Sequence, residues 1–220
     1  MSLPAPYYSD GAGITLYHAD CREILPHLPA VDLVLTDPPY GIGEARKNFG
    51  SRSNLARADL YVPAAWDDEP PTAETMRSVV AAGRLAIVFG GNYFGFPAAS
   101  KWLVWDKDDG ANDFADCELA WTNLGGAVRR LRFRWNGMLQ EYGGKHHEYR
   151  SHPTQKPVPV MRWCIEQAGD GVETILDPFA GSGTALVAAR DLGRKCIGVE
   201  IEERYCEIAA NRLRQGVLFR

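Results

Sequence analysis

The stretch Val31-Asp32-Leu33-Val34-Leu35-Thr36-Asp37-Pro38-Pro39-Tyr40 decides the fold that the sequence predicts. Its first six residues form a short apolar run with β-branched members, which is typical of a buried strand. The two prolines fix the backbone and donate no N–H group, and Gly41 and Gly43 follow, so the strand ends in a turn. We therefore predict a carboxylate, a stiff backbone and an aromatic ring at the tip of a strand.

The chemistry at this tip suits a flat donor group. The carboxylate of Asp37 and the carbonyl of Pro38 can accept two N–H bonds, and the ring of Tyr40 can stack on the plane between them. An exocyclic amine of a nucleobase has this shape. Taken alone, the same residues also describe an ordinary strand end that is followed by a turn with an exposed tyrosine.

A second informative stretch runs from Ile175 to Glu200. A strand ends at Asp177, a glycine-rich turn and a helix follow, and the next strand ends at Glu200, which is half of a nucleotide-binding α/β unit. The turn lacks the third glycine of a dinucleotide site and the Gly-Lys-Ser/Thr of a P-loop. Asp177 would repel a pyrophosphate but suits an ammonium group, and Glu200 suits ribose hydroxyls. S-adenosylmethionine carries both groups.

Strands and helices alternate along most of the chain, which predicts an α/β fold with a parallel sheet in one domain of 220 residues. The first strand spans 14–18, and Asp20 is a candidate N-cap for a short helix at 22–28. Further strands are predicted at 84–89, 101–106, 117–122, 128–135, 174–177 and 195–199, and further helices at 72–83, 157–168, 184–192 and 203–214.

Composition excludes several classes of protein. Five cysteines without a C-x-x-C pair argue against a disulfide framework or a zinc site, and indicate a reducing, cytoplasmic setting. The adjacent His146 and His147 lack further ligands at a suitable spacing, so no metal site is predicted. No apolar stretch approaches the length of a membrane span, and no signal peptide is visible, so we expect no membrane association.

The charge distribution indicates a polyanionic partner. The net charge is −4, but residues 127–157 hold seven Lys and Arg residues against two Glu. Arg130, Arg132 and Arg134 alternate with apolar residues and fall on one face of a predicted strand. This face is either a DNA-binding surface or a solvated, salt-bridged one. Lys145 in a basic turn, and Arg46 and Lys47 in a long, mobile loop at about 41–62, are further candidates for contacts with phosphates.

Together these motifs resemble the amino-group DNA methyltransferases, which modify N6 of adenine or N4 of cytosine. Asp-Pro-Pro-Tyr at 37–40 resembles their catalytic motif, and Asp-Pro-Phe-Ala-Gly-Ser-Gly-Thr at 177–184 resembles their cofactor motif. His-Pro-Thr-Gln-Lys-Pro at 152–157 resembles a third signature of the family. The catalytic motif precedes the cofactor motif, which is the order of the β class.

The resemblance implies a single-domain, Rossmann-like fold with a seven-stranded, mostly parallel sheet, one antiparallel strand and helices on both faces. It implies S-adenosylmethionine as cofactor and a small target-recognition segment at about 129–150. It places the ribose at Glu200, the adenine end at Asp20 and Cys21, and another wall of the site at Thr154 and Lys156. The methionine end falls on the glycine-rich turn and its flanks, namely Asp177, Phe179, Ala180, Gly181, Ser182, Gly183 and Thr184.

The implied reaction is methylation of the N6 amine of an adenine that is flipped out of double-stranded DNA, with Asp37, Pro38, Pro39 and Tyr40 as the catalytic residues. It requires that Asp37 and Asp177 open into one cleft. An N4-cytosine enzyme, an RNA or protein-glutamine methyltransferase, and an inactive cofactor-binding subunit remain alternatives. C5-cytosine methylation is disfavoured because no Pro-Cys dipeptide occurs. A homodimer and a cognate restriction endonuclease are possible partners.

Overall fold

A nine-stranded sheet forms the centre of the protein in a computed structural model that describes residues 3–41, 69–108, 115–136, 139–140 and 155–215. The strands are β1 Tyr8–Ser9, β2 Ile14–His18, β3 Val31–Thr36, β4 Gly83–Phe89, β5 Trp102–Asp106, β6 Cys117–Thr122, β7 Arg129–Arg132, β8 Trp135–Asn136, β9 Leu139–Gln140, β10 Thr174–Asp177 and β11 Lys195–Glu200. The large sheet has the order β1-β2-β11-β10-β3-β4-β6-β5-β7, and β8 and β9 form a separate hairpin.

The predicted number of seven strands was wrong, because two short strands extend the edges of the sheet. β1 pairs antiparallel with β2, and β7 pairs parallel with β5. The seven strands between them include one, β6, that runs antiparallel to both of its neighbours. With two residues, β1 carries too little periodicity to be recognised from sequence, whereas the alternation over 128–135 does predict β7 in addition to the strands that the resemblance implies.

Within the described ranges, five helices cover both faces of the sheet, as the resemblance predicts. They are α1 Cys21–Ile24, α2 Ala73–Ala81, α3 Val158–Ala168, α4 Thr184–Asp191 and α5 Glu203–Arg214. Asp20 caps α1, and the hydroxyl of Thr72 caps α2 by accepting the N–H of Thr75 at 3.1 Å. The sequence predicts a helix over 72–83 with Gly83 as its stop; α2 ends slightly earlier, at Ala81 with Ala82 as C-cap, and Gly83 already pairs with Val31 as the first residue of β4.

The strand β3 is buried on both faces because its apolar residues point alternately to two cores. Leu33 and Leu35 belong to the core beneath α3, α4 and α5. Val34 belongs to the core beneath α2, where it meets Met76 and Val79. The continuous apolar run from Val31 to Thr36 is thus the pattern of a central parallel strand.

The strand predicted over 128–135 is broken in the structure. β7 ends at Arg132, the N–H of Phe133 still bonds to the carbonyl of Asp106 at 2.9 Å, and Trp135 then enters the β8–β9 hairpin. The burial of Phe133 and Trp135 preserves the predicted alternation, because both rings pack into the large core.

Connections leave β3 and β10 in opposite directions, which creates a crevice at the carboxyl ends of these two strands. β3 leads to β4 on one side, and β10 leads to β11 on the other. Ligands of open α/β sheets bind at such a point. Within the described residues, no helix has the length and apolar character that crossing a membrane requires.

Candidate active site

Four acidic residues lie at the carboxyl ends of four adjacent parallel strands. Asp20 follows β2, Glu200 ends β11, Asp177 ends β10 and Asp37 follows β3. The pairing of Ile175 with Leu33 aligns the ends of β10 and β3. Parallel register therefore brings together carboxylates that lie far apart in the sequence.

These strand ends open into one cavity of about 550 Å³, a size typical of small-molecule sites. Both Asp37 and Asp177 line it, so the two aspartates share one cleft, as the implied reaction requires. The remaining acids on its wall include Asp20 and Glu200, whereas its basic residues are Arg22 and Lys156. A cavity with this excess of carboxylates favours a cationic ligand over a polyphosphate.

The carboxylate of Asp37 is held by two donors. The hydroxyl of Tyr40 donates to Oδ1 at 2.5 Å, and the ammonium group of Lys156 bonds to Oδ2. Burial raises the pKa of Asp37 above its usual value, although Lys156 opposes that increase. The carboxylate is thus fixed in orientation and a better proton acceptor than an exposed aspartate.

The ring of Tyr40 belongs to an aromatic group at the end of β4. It stacks on Tyr93, with ring centroids 5.0 Å apart and planes 15° apart, and meets Phe94 edge-on. Gly90 makes this possible, because a Cβ there would lie 2.2 Å from the Tyr40 ring and the residue has a φ of +63°. Tyr93 is 52% exposed and so presents an aromatic surface to solvent beside Tyr40.

Asp177 is the most deeply buried acid of the cavity, at 2% exposure. Its Oδ1 accepts the hydroxyl of Thr36 at 2.7 Å and the N–H of Phe179 at 3.2 Å. Burial raises the pKa of Asp177 to about 7, and the nearby carboxylates of Asp37 and Glu200 add to that increase. A cationic ligand would relieve this unfavourable burial of negative charge.

The glycine-rich turn between β10 and α4 is held from both sides. Glu200 accepts the N–H of Gly181 at 2.7 Å, and Arg212 of α5 donates to the carbonyl of Ser182 at 2.6 Å and to the hydroxyl of Thr184 at 3.1 Å. Gly183 has a φ of +76°, and a Cβ there would lie 2.8 Å from that of Ala209. The turn is therefore clamped between a strand end and a helix.

The sequence model of a family described as DNA methylase matches residues 102–211, half of the chain. The Type II methyltransferase M2.LlaDCHI of Lactococcus lactis subsp. cremoris is 38% identical over 267 residues, covering 99% of this chain and 95% of that protein. The chain belongs to the amino-group DNA methyltransferases.

Other relatives of this methyltransferase are similar over most of their length. The Type II methyltransferase M.ScaI of Streptomyces caespitosus is 28% identical, covering 96% of this chain and 84% of that protein. The DNA adenine methyltransferase YhdJ of Escherichia coli K12 is 26% identical, with 90% and 82% covered.

Solved structures share the fold of the methyltransferase. The M1.HpyAVI–SAM complex superimposes with a TM-score of 0.60 at 24% identity, covering 91% of this chain and 98% of the other. The cytosine-N4-specific PvuII DNA methyltransferase gives a TM-score of 0.58 at 15% identity, covering 94% and 88%.

S-adenosylmethionine is the cofactor of the methyltransferase, and the cavity fits it. The incompletely compensated carboxylate of Asp177 suits the ammonium group of the methionine end. Each oxygen of Glu200 accepts one backbone N–H group, from Gly181 and from Glu202, and keeps lone pairs for the ribose hydroxyls. Asp20 and Cys21 lie beyond Glu200, at the end predicted for the adenine.

The structure brings most of the predicted cofactor residues together on the cavity wall: Asp20, Cys21, Lys156, Asp177, Phe179, Ala180, Gly181, Ser182, Thr184 and Glu200. Gly183 is not on that wall and instead packs against α5. The four predicted catalytic residues, 37–40, form the catalytic tetrad. Of these, Asp37 and Pro39 line the cavity, whereas Pro38 is buried and Tyr40 supports Asp37. Thr154 lies outside the described residues.

Sequence reasoning missed three residues around the site. Glu118 of β6 forms an ion pair with Lys156 at 3.0 Å, Tyr93 stacks on Tyr40, and Arg212 clamps the glycine-rich turn. An acid within the apolar strand 117–122 was the available signal for Glu118. Its partner could not be identified, because Lys156 is distant in the sequence and meets it only in the folded chain.

The three alternating arginines form ion pairs on the protein surface. Arg130 lies 3.5 Å from Asp106, and Arg132 and Arg134 both bond to Asp108. Exposed pairs of this kind contribute little to stability and can be exchanged for other anions. The predicted DNA contacts of these arginines stay predictions, and Arg46, Lys47 and Lys145 lie outside the described residues.

Other predictions are also untested. The loop at about 41–62 lies beyond Gly41 outside the described residues, and only part of the recognition segment at about 129–150 is described. Among the residues that are described, no group of three or more His, Cys, Asp or Glu side chains could hold a metal ion.

Proposed function

We propose that this methyltransferase modifies the N6 amine of an adenine that is rotated out of double-stranded DNA. The observation that carries the proposal is the joint presence of Asp37 and Asp177 on one cavity wall, with Asp37 oriented by two donors. The placement of an aspartate first in the tetrad favours adenine, because this form is typical of the adenine enzymes that the sequence resembles.

The residues of the tetrad would make the amine nucleophilic. An aromatic amine is a poor nucleophile because its lone pair is delocalised into the ring. Asp37 and the Pro38 carbonyl accept its two hydrogens, favour a pyramidal nitrogen and direct the lone pair into the cavity. S-adenosylmethionine supplies the electrophilic methyl group. The chain itself needs no covalent intermediate, since it contributes orientation and exclusion of water.

Aromatic side chains support the flipped base in this proposal. Rotating a base out of a duplex costs a few kcal/mol. Stacking on an aromatic side chain returns about 1–3 kcal/mol per base. The exposed ring of Tyr93, which stacks on Tyr40, offers such a surface near Asp37. Arg130, Arg132 and Arg134 are proposed to bind phosphates of the same duplex.

The test is methylation of unmethylated DNA with labelled S-adenosylmethionine, followed by digestion to nucleosides and mass spectrometry. We expect labelled N6-methyldeoxyadenosine. Labelled N4-methyldeoxycytidine would overturn the choice of base, and the absence of label in DNA would favour the inactive cofactor-binding subunit. RNA in a parallel reaction tests the remaining nucleic-acid substrate.

The variant that tests the role of Asp37 is Asp37→Asn, which keeps the shape of the side chain. We expect methyl transfer to fall by about 10²–10⁴-fold, because the proton acceptor is lost. Binding of the cofactor, measured by calorimetry, should remain within a few-fold of the unmodified protein. Asp170→Asn, at an exposed position, is the control and should retain activity. Full activity of Asp37→Asn would refute the assignment.

The proposal includes two partners beyond DNA. A homodimer would appear as a doubled mass in light scattering coupled to size-exclusion chromatography. A cognate endonuclease would be blocked by DNA that the methyltransferase has modified, and sequencing of that DNA for methylated positions would give the site that the two enzymes share.

A further inference from the structure

A line of alternating charges extends from Asp37 into the protein. The ammonium group of Lys156 contacts Asp37 and also lies 3.0 Å from Oε2 of Glu118. Oε1 of Glu118 lies 2.7 Å from the ammonium group of Lys107. The line joins the segment before α3, strand β6 and the residue after β5 to the catalytic tip of β3. Lys107 stands at its far end, over the ring of Trp105.

The centre of this line is secluded from solvent. The Lys156 side chain is 4% exposed, and its ammonium nitrogen lies 5.2 Å from the ring centroid of Phe89 and 5.8 Å from that of Tyr40. Buried ion pairs of this kind stabilise a fold no better than apolar side chains of similar volume. A gain in stability therefore does not explain why these charges are buried, whereas their contact with the catalytic Asp37 does.

Glu118 competes with Asp37 for the same ammonium group. Its buried Oε2 accepts no aligned hydrogen bond within the described part of the chain and lies 3.0 Å from the ammonium group of Lys156, while Lys107 pairs with the other oxygen, Oε1. Lys156 must therefore divide its charge between two carboxylates. Without Glu118, the whole ammonium charge would act on Asp37 and weaken its affinity for a proton.

The electrostatics of the site agree with this division. Burial raises the pKa of Asp37, Lys156 lowers it, and Glu118 raises it again. Burial by itself raises the pKa of Glu118, but Lys156 and Lys107 outweigh burial and lower it, so Glu118 stays charged. Among the described residues, the other titratable groups that face Asp37 are the hydroxyl of Tyr40 and, from β10, the carboxylate of Asp177.

We propose that Glu118 is a positioning residue of the methyl transfer, which shares the Lys156 ammonium group and so keeps Asp37 available as the proton acceptor of the target amine. This inference rests on the proposed function but not on the choice between adenine and cytosine. During transfer an N–C bond forms and the C–S bond of the cofactor breaks, with its electron pair left on sulfur. The proton that the nitrogen loses passes to a carboxylate oxygen of Asp37.

The test compares three variants in single-turnover methyl transfer over a series of pH values. Glu118→Gln keeps the volume of the side chain and removes its charge. Lys107→Met, at a partly exposed position, removes the cation that holds Glu118. Glu166→Gln makes the same chemical change as the first variant at an exposed position of α3 and is the control. Thermal melting and calorimetric cofactor binding confirm that each variant is folded.

We expect Glu118→Gln to lower the transfer rate by about 10–100-fold, since a more acidic Asp37 accepts the proton less readily. The acid limb of its pH profile should move to lower pH, because Asp37 becomes more acidic. Lys107→Met should move the limb to higher pH, because a positive charge is lost. Glu166→Gln should leave the transfer rate and the acid limb of the pH profile unchanged. The affinity for the cofactor should not change in Glu118→Gln, since Glu118 is not on the cavity wall.

A second readout needs no cofactor. The ¹³C resonance of the Asp37 carboxyl group, assigned by its loss in Asp37→Asn, reports the titration of Asp37 directly. Glu118→Gln should move this titration to lower pH. Glu118 has only a structural role if the Asp37 titration does not move. The same holds if Glu118→Gln and Lys107→Met both move the acid limb of the pH profile in the same direction. If the unmodified protein methylates no DNA, both the proposed function and this role fail; if it does and the limb stays fixed, only the role of Glu118 fails.

Discussion

At the scale of single residues, the hydroxyl of Thr36 links the two motifs of the methyltransferase. Thr36 immediately precedes Asp37 and donates to Asp177 across the β3–β10 pair. Its hydrogen bond is one of two that compensate the Asp177 carboxylate, and both reach Oδ1. Oδ2 receives no hydrogen bond within the described ranges, which leaves this side of the carboxylate for a ligand.

The folded protein should be more stable without the charge of Asp177. Its pKa lies at about 7 when folded and near 3.8 when unfolded. Between these values the unfolded chain releases a proton that the folded chain retains, so stability falls as pH rises through this window. Above pH 7 the full penalty is present, on the order of 4 kcal/mol at most.

Asp177→Asn should therefore raise the free energy of unfolding above pH 7 and leave it unchanged below about pH 4. Urea denaturation of the cofactor-free protein over this range measures the difference. The same variant should bind the cofactor at least tenfold more weakly, because the ammonium group loses its counter-charge. A stability difference that is constant with pH would show that Asp177 is not the titrating group.

At the scale of elements, α5 determines the shape of the cofactor turn. Arg212 donates to three oxygens of Ser182 and Thr184, and Gly183 packs against Ala209 one turn away on the same helix. Hydrogen bonds from a charged group are worth about 1.5–3 kcal/mol each. The turn is thereby held in its binding conformation before a ligand arrives.

Arg212→Met should weaken cofactor binding by about tenfold, because part of the binding energy must then order the turn. The transfer rate at saturating cofactor should change by less than about threefold, since the catalytic tip of β3 is untouched. Calorimetry and single-turnover kinetics measure the two effects. Arg214→Met, at an exposed position of the same helix, is the control, and an equal loss of affinity there would rule out the clamp.

Sequence patterns predicted these elements well where they are long and periodic. The bounds of α5 and β6 agree with the prediction, because the amphipathic spacing of a helix and the mostly apolar composition of a short strand are local properties. The ends of elements were predicted less well: β7 ends at Arg132, earlier than predicted, and Gly83 begins a strand. Their positions depend on which neighbour is available for pairing, and that is not a local property.

The site was predictable to the extent that its residues form local motifs. The tips at 37–40 and 177–184 carry their chemistry within a few residues. Glu118, Lys107 and Tyr93 do not, because each contributes through a partner from another strand or turn. The ion pairs of Arg132 and Arg134 with Asp108 were also invisible, since a strand pattern shows a cationic face without its counter-ions.

At the scale of the whole molecule, the basic edge of the sheet, formed by Arg130, Arg132 and Arg134, should control how DNA binding responds to salt. Arg130, Arg132 and Arg134 lie at one end of the sheet and are already paired with Asp106 and Asp108. DNA phosphates would have to replace these carboxylates. Each phosphate contact contributes about 0.9 to the slope of log K against log salt concentration.

Changing all three arginines to alanine should therefore reduce that slope by about 2–3 and weaken DNA binding at low salt. Fluorescence anisotropy with a labelled duplex at several salt concentrations measures both. The control replaces three exposed arginines elsewhere, Arg77, Arg84 and Arg162, with alanine. An unaltered slope in the first variant, or an equal change in the control, would identify the arginines as a solvated face.

The contact between α5 and β1 has a consequence for how this architecture can be encoded. The guanidinium group of Arg214 lies 5.6 Å from the ring centroid of Tyr8, so the first and last described elements are neighbours. A linker from the end of α5 to the start of β1 would close this described part of the chain into a ring, and a new start could be opened at a surface turn. Such a circularly permuted gene would read the motifs in the reverse order and still build the same crevice between β10 and β3.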